Sequence, residues 1–542
     1  MNLKKLSLLL AISVFVSANT YAQVQNSQPF NPEDESYSES CTSIMVTKGA
    51  SEDGSVITSH TCDSNYRTWL KMEESKAFKI GEFDPIRWGT MHNEEPWDPR
   101  GITIKGEIPA PKEPTFRYLN TSYPCLNEKQ LAMGETTTEG KKELVNKKGL
   151  FLIEELERIA LQRCSTARDA VELIGKLAHT YGYGDWGECL TIADTKEIWH
   201  FEVYGSGPGK PSALWAAQRI PDGQVGVSAN IPRIGIIDFN DTENFMFSPD
   251  LKERSKKLGY WDGKSPYKFY KVVTSSKKNF SVREYFIFNT LAPSLKLSYD
   301  MEELPFTITP DKKVSLEEVF ALYRSTYDGT EYDQVRNLSV EVNRRKYVNG
   351  ERINYKDTVS PISTFMPADI RALLNKLEPG VTERTRTIAV IQCAYSHIIQ
   401  LRDWLPDVVG GVAYFAFDNP AQSPRIPIYA GTTSLPKSFE ICAQHRYRPE
   451  AAAWAFRETN RISTINWDKT RGIIEPEVLR LQEEMLLERE MIDKRAAQLI
   501  KEGKEDEAKE LLTNHTHDFA DKCINKWQEL KAKIWTIFAR SM

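Results

Sequence analysis

Apolar and polar positions along this chain change period several times, and each change marks an element. Residues 42–47 and 55–59 read as the two strands of a β-hairpin, with turn residues over 48–54. Residues 81–118, rich in Pro, Gly and Trp, predict irregular loops. From 149 to 164 the apolar positions Leu152, Leu156, Ile159 and Leu161 recur at helical spacing, and residues 167–181 follow the same rule. Residues 187–204 and 212–231 return to strand patterning. Trp199-His200-Phe201-Glu202-Val203 alternates, and the strand over 225–229 delivers Asn230 at its end. Further strand-like runs cover 385–401 and 408–417. Gly205-Ser206-Gly207-Pro208-Gly209 lacks the Lys-Ser/Thr ending and following helix of a phosphate loop, so it predicts a turn.

After about residue 470 the pattern becomes charged and helical. Val478, Leu481, Met485, Ile492, Ala496 and Leu499 share one face of a helix over 475–502. Gly503 interrupts it, and helix-forming residues resume at Glu505 and run toward Ile537. This tail predicts a helical hairpin packed on the body, with a homo-oligomer contact as the alternative use of its apolar face. No repeat of 20–50 residues is found.

The first forty residues have a different logic. Lys4 and Lys5 precede an apolar run over 6–16, and Thr20-Tyr21-Ala22 closes it. That is the layout of a secretory signal over 1–22, and the run is too short for a membrane span. Residues 23–40 carry Pro, Ser, Gln and the acids Glu33, Asp34, Glu35 and Glu39, a disordered composition expected of a propeptide. The expectation is an exported protein, periplasmic or secreted, with no membrane insertion once the signal is removed. A catalytic region over 41–470 and a helical extension over 471–542 would follow.

Composition narrows the function. A chain of 542 residues can bury a large core. Its net charge of −5 is spread over both signs with no Lys/Arg block, which argues against a nucleic-acid partner. Eight cysteines and eight histidines are scattered without CxxC or zinc-ligand spacing, so neither metal nor cofactor is expected.

Cys41 is where these threads meet. It stands at the end of the disposable segment and opens the first strand. A thiol attacks carbonyls as thiolate, and a free cysteine has a pKa near 8.5. An α-amine, with a pKa of about 7.7–8.0, can take that proton near neutral pH. Cutting the Ser40–Cys41 bond would place nucleophile and base on one residue, a design for amide hydrolysis through an acyl-enzyme.

Cys41-Thr42-Ser43-Ile44-Met45-Val46, followed by Ala50-Ser51-Glu52-Asp53-Gly54-Ser55, resembles the N-terminal signature of the C69 dipeptidases. These are N-terminal-nucleophile hydrolases related to penicillin V acylases and bile salt hydrolases. Further blocks of the resemblance are Asn127-Glu128-Lys129 with Ala132-Met133-Gly134-Glu135-Thr136, Trp215-Ala216-Ala217-Gln218-Arg219-Ile220-Pro221 with Val227-Ser228-Ala229-Asn230, Leu401-Arg402-Asp403-Trp404-Leu405-Pro406, and Ile428-Tyr429-Ala430-Gly431. The resemblance covers roughly residues 41–440. It implies an α+β fold, a four-layer αββα sandwich with Cys41 at a central strand, self-cleavage before Cys41, and hydrolysis of dipeptides. By position it makes Asp63 the acid that holds the freed amine and Asn230 the residue that orients the amine or serves the oxyanion. It also puts Glu135-Thr136-Thr137 near the site without defined roles.

One position departs from the family. His60 stands three residues before the acid, where an arginine is usual, and an imidazole stabilises a thiolate less than a permanent guanidinium. Arg67 is a candidate replacement by nearness in sequence, and His60 could instead be packing. Cys62, beside Asp63, is expected on the opposite face of the strand from that acid. The same machinery would also suit an acyl-amide hydrolase of the penicillin V acylase or bile salt hydrolase type. The His60 departure alone supports a third reading, a non-catalytic exported binding protein. A papain-like Cys–His site finds no support, because Cys41 opens a strand and no histidine stands out as its partner.

Overall fold

Strands buried on both faces organise the chain into two antiparallel sheets. The computed structural model describes residues 40–96 and 98–541. The expected signal and all of the expected propeptide except Ser40 lie outside the described residues. Ten strands carry the site and its surroundings: β1 (Ser43–Val46), β2 (Val56–Asp63), β3 (Ala132–Thr137), β4 (Glu188–Ala193), β5 (Ile198–Gly205), β6 (Ala213–Arg219), β7 (Val225–Ser228), β8 (Cys393–Leu401), β9 (Val412–Phe417) and β10 (Ile426–Tyr429). The seven-stranded sheet runs Thr307–Ile308, β7, β1, β2, β8, β9, β10. The eight-stranded sheet runs Phe245–Phe247, β6, β5, β4, β3, Leu126–Asn127, Tyr118–Asn120, Lys71–Glu73.

Small polar side chains join the two sheets at several points, beside the ring cluster of Tyr123 and Tyr395. Thr58 Oγ1 lies 2.6 Å from Thr191 Oγ1, and Thr136 Oγ1 lies 2.5 Å from Ser228 Oγ. The approach is closest at Gly134, where a Cβ would fall 2.3 Å from the Ser59 carbonyl oxygen, so only glycine fits. Each of these four buried hydroxyls finds its partner across the gap, which removes the cost of burying it alone.

Seven helices matter here: α1 (Ile153–Arg163), α2 (Ala167–Tyr181), α3 (Val282–Leu291), α4 (Leu316–Tyr323), α5 (Ala452–Ser463), α6 (Trp467–Lys501) and α7 (Glu505–Ser541). α2 lies against the second sheet, its Gly175 under the Trp215 ring. α5, α6 and α7 dock on the first sheet. Trp527 Nε1 donates to Asn460 Oδ1 at 3.0 Å, Thr516 Oγ1 to the Pro427 carbonyl at 2.9 Å, and Arg402 forms a buried ion pair with Asp493 of α6. The architecture is mixed α/β with antiparallel sheets and a C-terminal helical region. Among the described residues no helix is long and apolar enough to cross a membrane. All eight cysteines are free and buried.

Several expected elements shift. The tail's first helix begins at Trp467, ahead of 475, and runs through Pro476. Burial of Trp467, Thr470 and Ile474 outweighs the backbone donor that proline removes. The loops expected over 81–118 contain a hairpin, Phe83–Trp88 with Thr103–Pro109. Its prolines are tolerated because both strands of a two-stranded ribbon are edges. The run over 187–204 splits at a turn where Asp194 Oδ1 accepts from the Lys196 and Glu197 N–H groups. The strand expected from 385 begins only at Cys393.

Candidate active site

β1 is bonded to β2 by side chains at the end that matters. Thr42 N–H donates to Thr61 Oγ1 at 2.9 Å and Ile44 N–H to Ser59 Oγ at 2.9 Å. Ser40 N–H donates to the Asp63 carbonyl at 3.2 Å. The chain therefore passes through residues 40–44 against β2, with Cys41 fully buried.

Asn230 reaches Cys41 from the end of β7. Its φ of 65° is left-handed, a region that asparagine tolerates better than most residues. Asn230 Oδ1 accepts from the Cys41 N–H at 2.9 Å, while its Nδ2 donates to the Thr137 carbonyl at 2.7 Å. Ser64, directly after Asp63, also holds a positive φ, 141°. Backbone strain of this kind clusters where side chains must be aimed.

Two guanidinium groups frame the Ser40–Cys41 bond. Arg283, on the first turn of α3, donates to the Cys41 carbonyl at 2.6 Å, to Asn230 Oδ1 at 2.8 Å, to the Ala229 carbonyl at 2.9 Å and to Thr42 Oγ1 at 3.1 Å. Arg386 donates to Asp63 Oδ2 at 2.5 Å and to Ser40 Oγ at 2.8 Å. Asp63 Oδ2 also accepts from Thr61 Oγ1 at 2.9 Å, whereas its buried Oδ1 has no well-aligned donor and only the Cys393 thiol lies beside the carboxylate. Burial, reinforced by Arg386, lowers Arg283 to about 10, which leaves it charged at neutral pH.

The thiol has a different environment. Burial pushes the Cys41 pKa well up, and Glu135, Cys62 and Asp63 push it further. The Asp63 backbone N–H opposes them. Cys62 sits one residue from Asp63, so alternation turns it to the His60 side of β2. It is nonetheless close enough for its charge to act on Cys41.

His60 is packed among aromatic rings. Tyr123, Tyr395 and His397 surround it at centroid distances of 5.3–5.9 Å. Its Nδ1 accepts from the Glu135 N–H at 2.9 Å. Burial, then His397, hold its pKa well below the usual imidazole value, so it is uncharged at neutral pH. Arg67 does not replace the missing cation, because it binds the Trp69 and Thr121 carbonyls and Asn120 Oδ1. The cations at Cys41 are Arg283 and Arg386, which the sequence reading passed over. Arg283 had a signal, since it lies inside the capping box Ser281–Glu284 that starts α3. Arg386 lies in a loop and had none.

The structure thus brings Cys41, His60, Asp63 and Asn230 together, with Glu135 beside them. Cys41, His60 and Glu135 offer ligand-type atoms within 4.8 Å of one another, as do Cys189, His200 and Glu202. In both sets a histidine nitrogen already has a protein partner: His60 Nδ1 on Glu135 N–H, and His200 Nε2 on Glu202 Oε1 at 2.9 Å.

The sequence model of peptidase family C69 matches residues 40–478. The chain belongs to peptidase family C69. The match to this family begins at Ser40, one residue before Cys41, and runs into α6. A probable dipeptidase of Latilactobacillus sakei is 26% identical over 74% of this chain and 76% of its own length. A probable dipeptidase of Salmonella dublin is 28% identical over 51% of this chain and 54% of its own length. A probable dipeptidase B of Lactococcus lactis is 25% identical over 79% of this chain and 82% of its own length. The C69 match spans the β1–β2 pair, both sheets and every residue described around Cys41.

Proposed function

We propose that this C69 chain is an exported cysteine dipeptidase that matures by cutting its own Ser40–Cys41 bond. The observation that carries the reading is the seat prepared for a new amine at Cys41. Asn230 Oδ1 already holds the Cys41 nitrogen, and Asp63 Oδ1 is a buried acceptor with no strong donor, only the Cys393 thiol lying beside the carboxylate. An α-ammonium created at Cys41 gains what both oxygens offer.

Maturation proceeds by addition of Cys41 Sγ to the Ser40 carbonyl carbon. The C–N bond breaks as the Cys41 nitrogen takes the thiol proton, and water hydrolyses the resulting Ser40 thioester. The freed amine is then the base for external substrates. It takes the thiol proton, Sγ attacks the dipeptide carbonyl, and the proton passes to the departing amine. Water hydrolyses the acyl-enzyme. Arg283 positions Cys41 and Asn230 as one unit, and Asn230 Nδ2 anchors that unit to β3 through Thr137.

The names of the relatives support dipeptides as the substrate class. The contacts between the sheets, with α2 against one and α5–α7 against the other, support a four-layer αββα arrangement of the N-terminal-nucleophile type. The signal-like pattern over 1–22 supports export to the periplasm or beyond. The test is intact mass and N-terminal sequencing of the purified protein beside Cys41→Ala, followed by a panel of dipeptides and N-acyl amides. A wild-type chain starting at Cys41, a variant that keeps its upstream residues, and dipeptide cleavage only by the former are expected. A wild-type chain that keeps Ser40 and still cleaves dipeptides would overturn the mechanism.

A further inference from the structure

Between α1 and the hairpin Phe83–Trp88/Thr103–Pro109, at the Lys71–Glu73 edge of the second sheet, lies a cavity of about 340 Å3. Cys41 is not among its lining residues. Ser122 and Pro124 are, and Tyr123 between them packs on His60. Three lining side chains, each more than nine-tenths buried, carry polar atoms without partners. Arg67 is 2% exposed and its Nε donates to nothing. Asn93 is 5% exposed and its Oδ1 accepts nothing. Glu154 is 2% exposed and neither of its carboxyl oxygens has a partner.

These groups are held in place. Arg67 is fixed by hydrogen bonds to the Trp69 carbonyl and Asn120 Oδ1 and by stacking 3.4 Å over the Trp69 ring. Asn93 Nδ2 donates to the Glu95 carbonyl at 2.6 Å. Glu154 sits on the first turn of α1. Burying such atoms without partners is costly, and native proteins retain the arrangement mainly where a ligand completes it. Among the charged residues that line this cavity, Arg158 is paired with Asp84 and Glu155, and Glu73 with Lys71, whereas no ion pair joins Arg67 to Glu154 among the described residues. That combination is complementary to a molecule carrying both an anion and a cation.

We propose that this cavity binds a free α-amino acid, its carboxylate on Arg67 and its ammonium on Glu154 and Asn93 Oδ1. The proposal does not rest on the reading of Cys41. Trp69 and Phe78 supply apolar wall for the side chain.

The charge state adds a distinctive signature. Burial raises Glu154 to about 8; its own backbone N–H and Arg67 oppose the rise, and Glu155 and Asp185 add to it. Glu157, one turn along α1, and Tyr183 also feel its charge. Arg67 is lowered to about 10 and stays charged. At pH 7 the empty cavity therefore holds a protonated carboxyl beside a guanidinium. An arriving ammonium ionises Glu154, the proton leaves to the buffer, and an N–H···O⁻ contact forms.

The test is calorimetry on the full chain at pH 7 with L-leucine, repeated in two buffers of different ionisation enthalpy. N-acetyl-L-leucine lacks the ammonium and L-leucinamide lacks the carboxylate. L-leucine is expected to bind with release of a proton, and both analogues to bind about 30-fold more weakly. Glu154→Gln, neutral and nearly isosteric, is expected to lose the proton release and about 30-fold in affinity. Arg67→Lys, which keeps the charge but not the Nε–H, provides the second variant should the first fail to fold. Cys41→Ala is expected to bind L-leucine as the wild type does, whatever becomes of its processing. No binding of L-leucine, equal binding by Glu154→Gln or Arg67→Lys, or loss of binding in Cys41→Ala would each overturn the proposal.

Discussion

At the scale of single residues, the site is a set of hydrogen bonds to the backbone of Cys41 more than to its thiol. Asn230 Oδ1 is shared by the Cys41 N–H and an Arg283 N–H, so losing Asn230 leaves the Cys41 N–H without its acceptor, and losing the Arg283 guanidinium leaves the Cys41 carbonyl without its donor. If the chain cuts its own Ser40–Cys41 bond as proposed, Asn230→Ala and Arg283→Lys are each expected to slow that cleavage by about 100-fold, a loss typical of one positioned polar group in a reacting site. Intact mass followed over time reads this, and a wild-type rate in both would remove them from the chemistry. His60 and His397 make a separate point. Both have depressed pKa values, His397 to about 3, because burial disfavours their charged forms. The unfolded chain takes up these protons near pH 6.5 and the folded chain does not. Stability is therefore full above about pH 6.5 and falls below it, by up to about 1.4 kcal/mol per pH unit for each histidine. Thermal melts between pH 7 and pH 5 should show the decline, and His397→Leu should flatten it. An unchanged slope would mean that His397 charges in the folded protein.

Elements show why some of this could be read from residues and some could not. β1, β2, α1 and α2 announce themselves by period, because each turns a regular apolar face to a core. α3 and α4 are short, and their signals are the capping boxes Ser281–Glu284 and Ser315–Glu318 rather than any stripe. Reading those boxes would have brought Arg283 to notice. The hairpin Val340–Val348/Glu351–Val359 was missed for the opposite reason, since it is exposed on most of its positions and so carries little apolar alternation. α1 hides an anomaly that its pattern conceals. Glu157 is fully buried and neither carboxyl oxygen has a partner, and its pKa is raised well above the usual range by burial, then by Glu135 and Glu154. A raised acid binds its proton in the folded state where the unfolded chain has lost it, so it destabilises once the pH exceeds about 4.3. Glu157→Gln should thus raise stability at pH 7 and change it by almost nothing at pH 4. Denaturant melts at the two pH values check the sign. A loss at pH 7 would show that the ionised carboxylate has a partner.

For the molecule as a whole, family membership was legible because ordered blocks of sequence fall on both sheets. Arg386 was not, because long-range pairing brings a loop residue to Asp63 across more than three hundred positions. The helical tail was legible as a helical hairpin packed on the body, and the contacts that seat it were not. Arg402, between β8 and β9, meets Asp493 of α6, and Arg489 of the same helix donates to Gln400 Oε1 at 2.8 Å and Tyr414 Oη at 2.7 Å. This polar seam fixes where α6 lies on the sheet. Asp493→Ala should cost about 3–5 kcal/mol by leaving the Arg402 charge buried and alone. A lowered melting temperature is the expected outcome, and an unchanged melt would show that water reaches the seam.

The eight buried thiols carry a consequence for handling the protein. With every sulfur enclosed, a folded chain offers nothing to alkylating reagents, whereas an unfolding chain offers all eight at once. Under the reading of Cys41 given above, cutting the Ser40–Cys41 bond gives one sulfur an activating amine while the other seven stay enclosed and inert. The stoichiometry of alkylation under native conditions then rises from zero to one as maturation proceeds. A reagent that merely counts thiols becomes a clock for the birth of the enzyme.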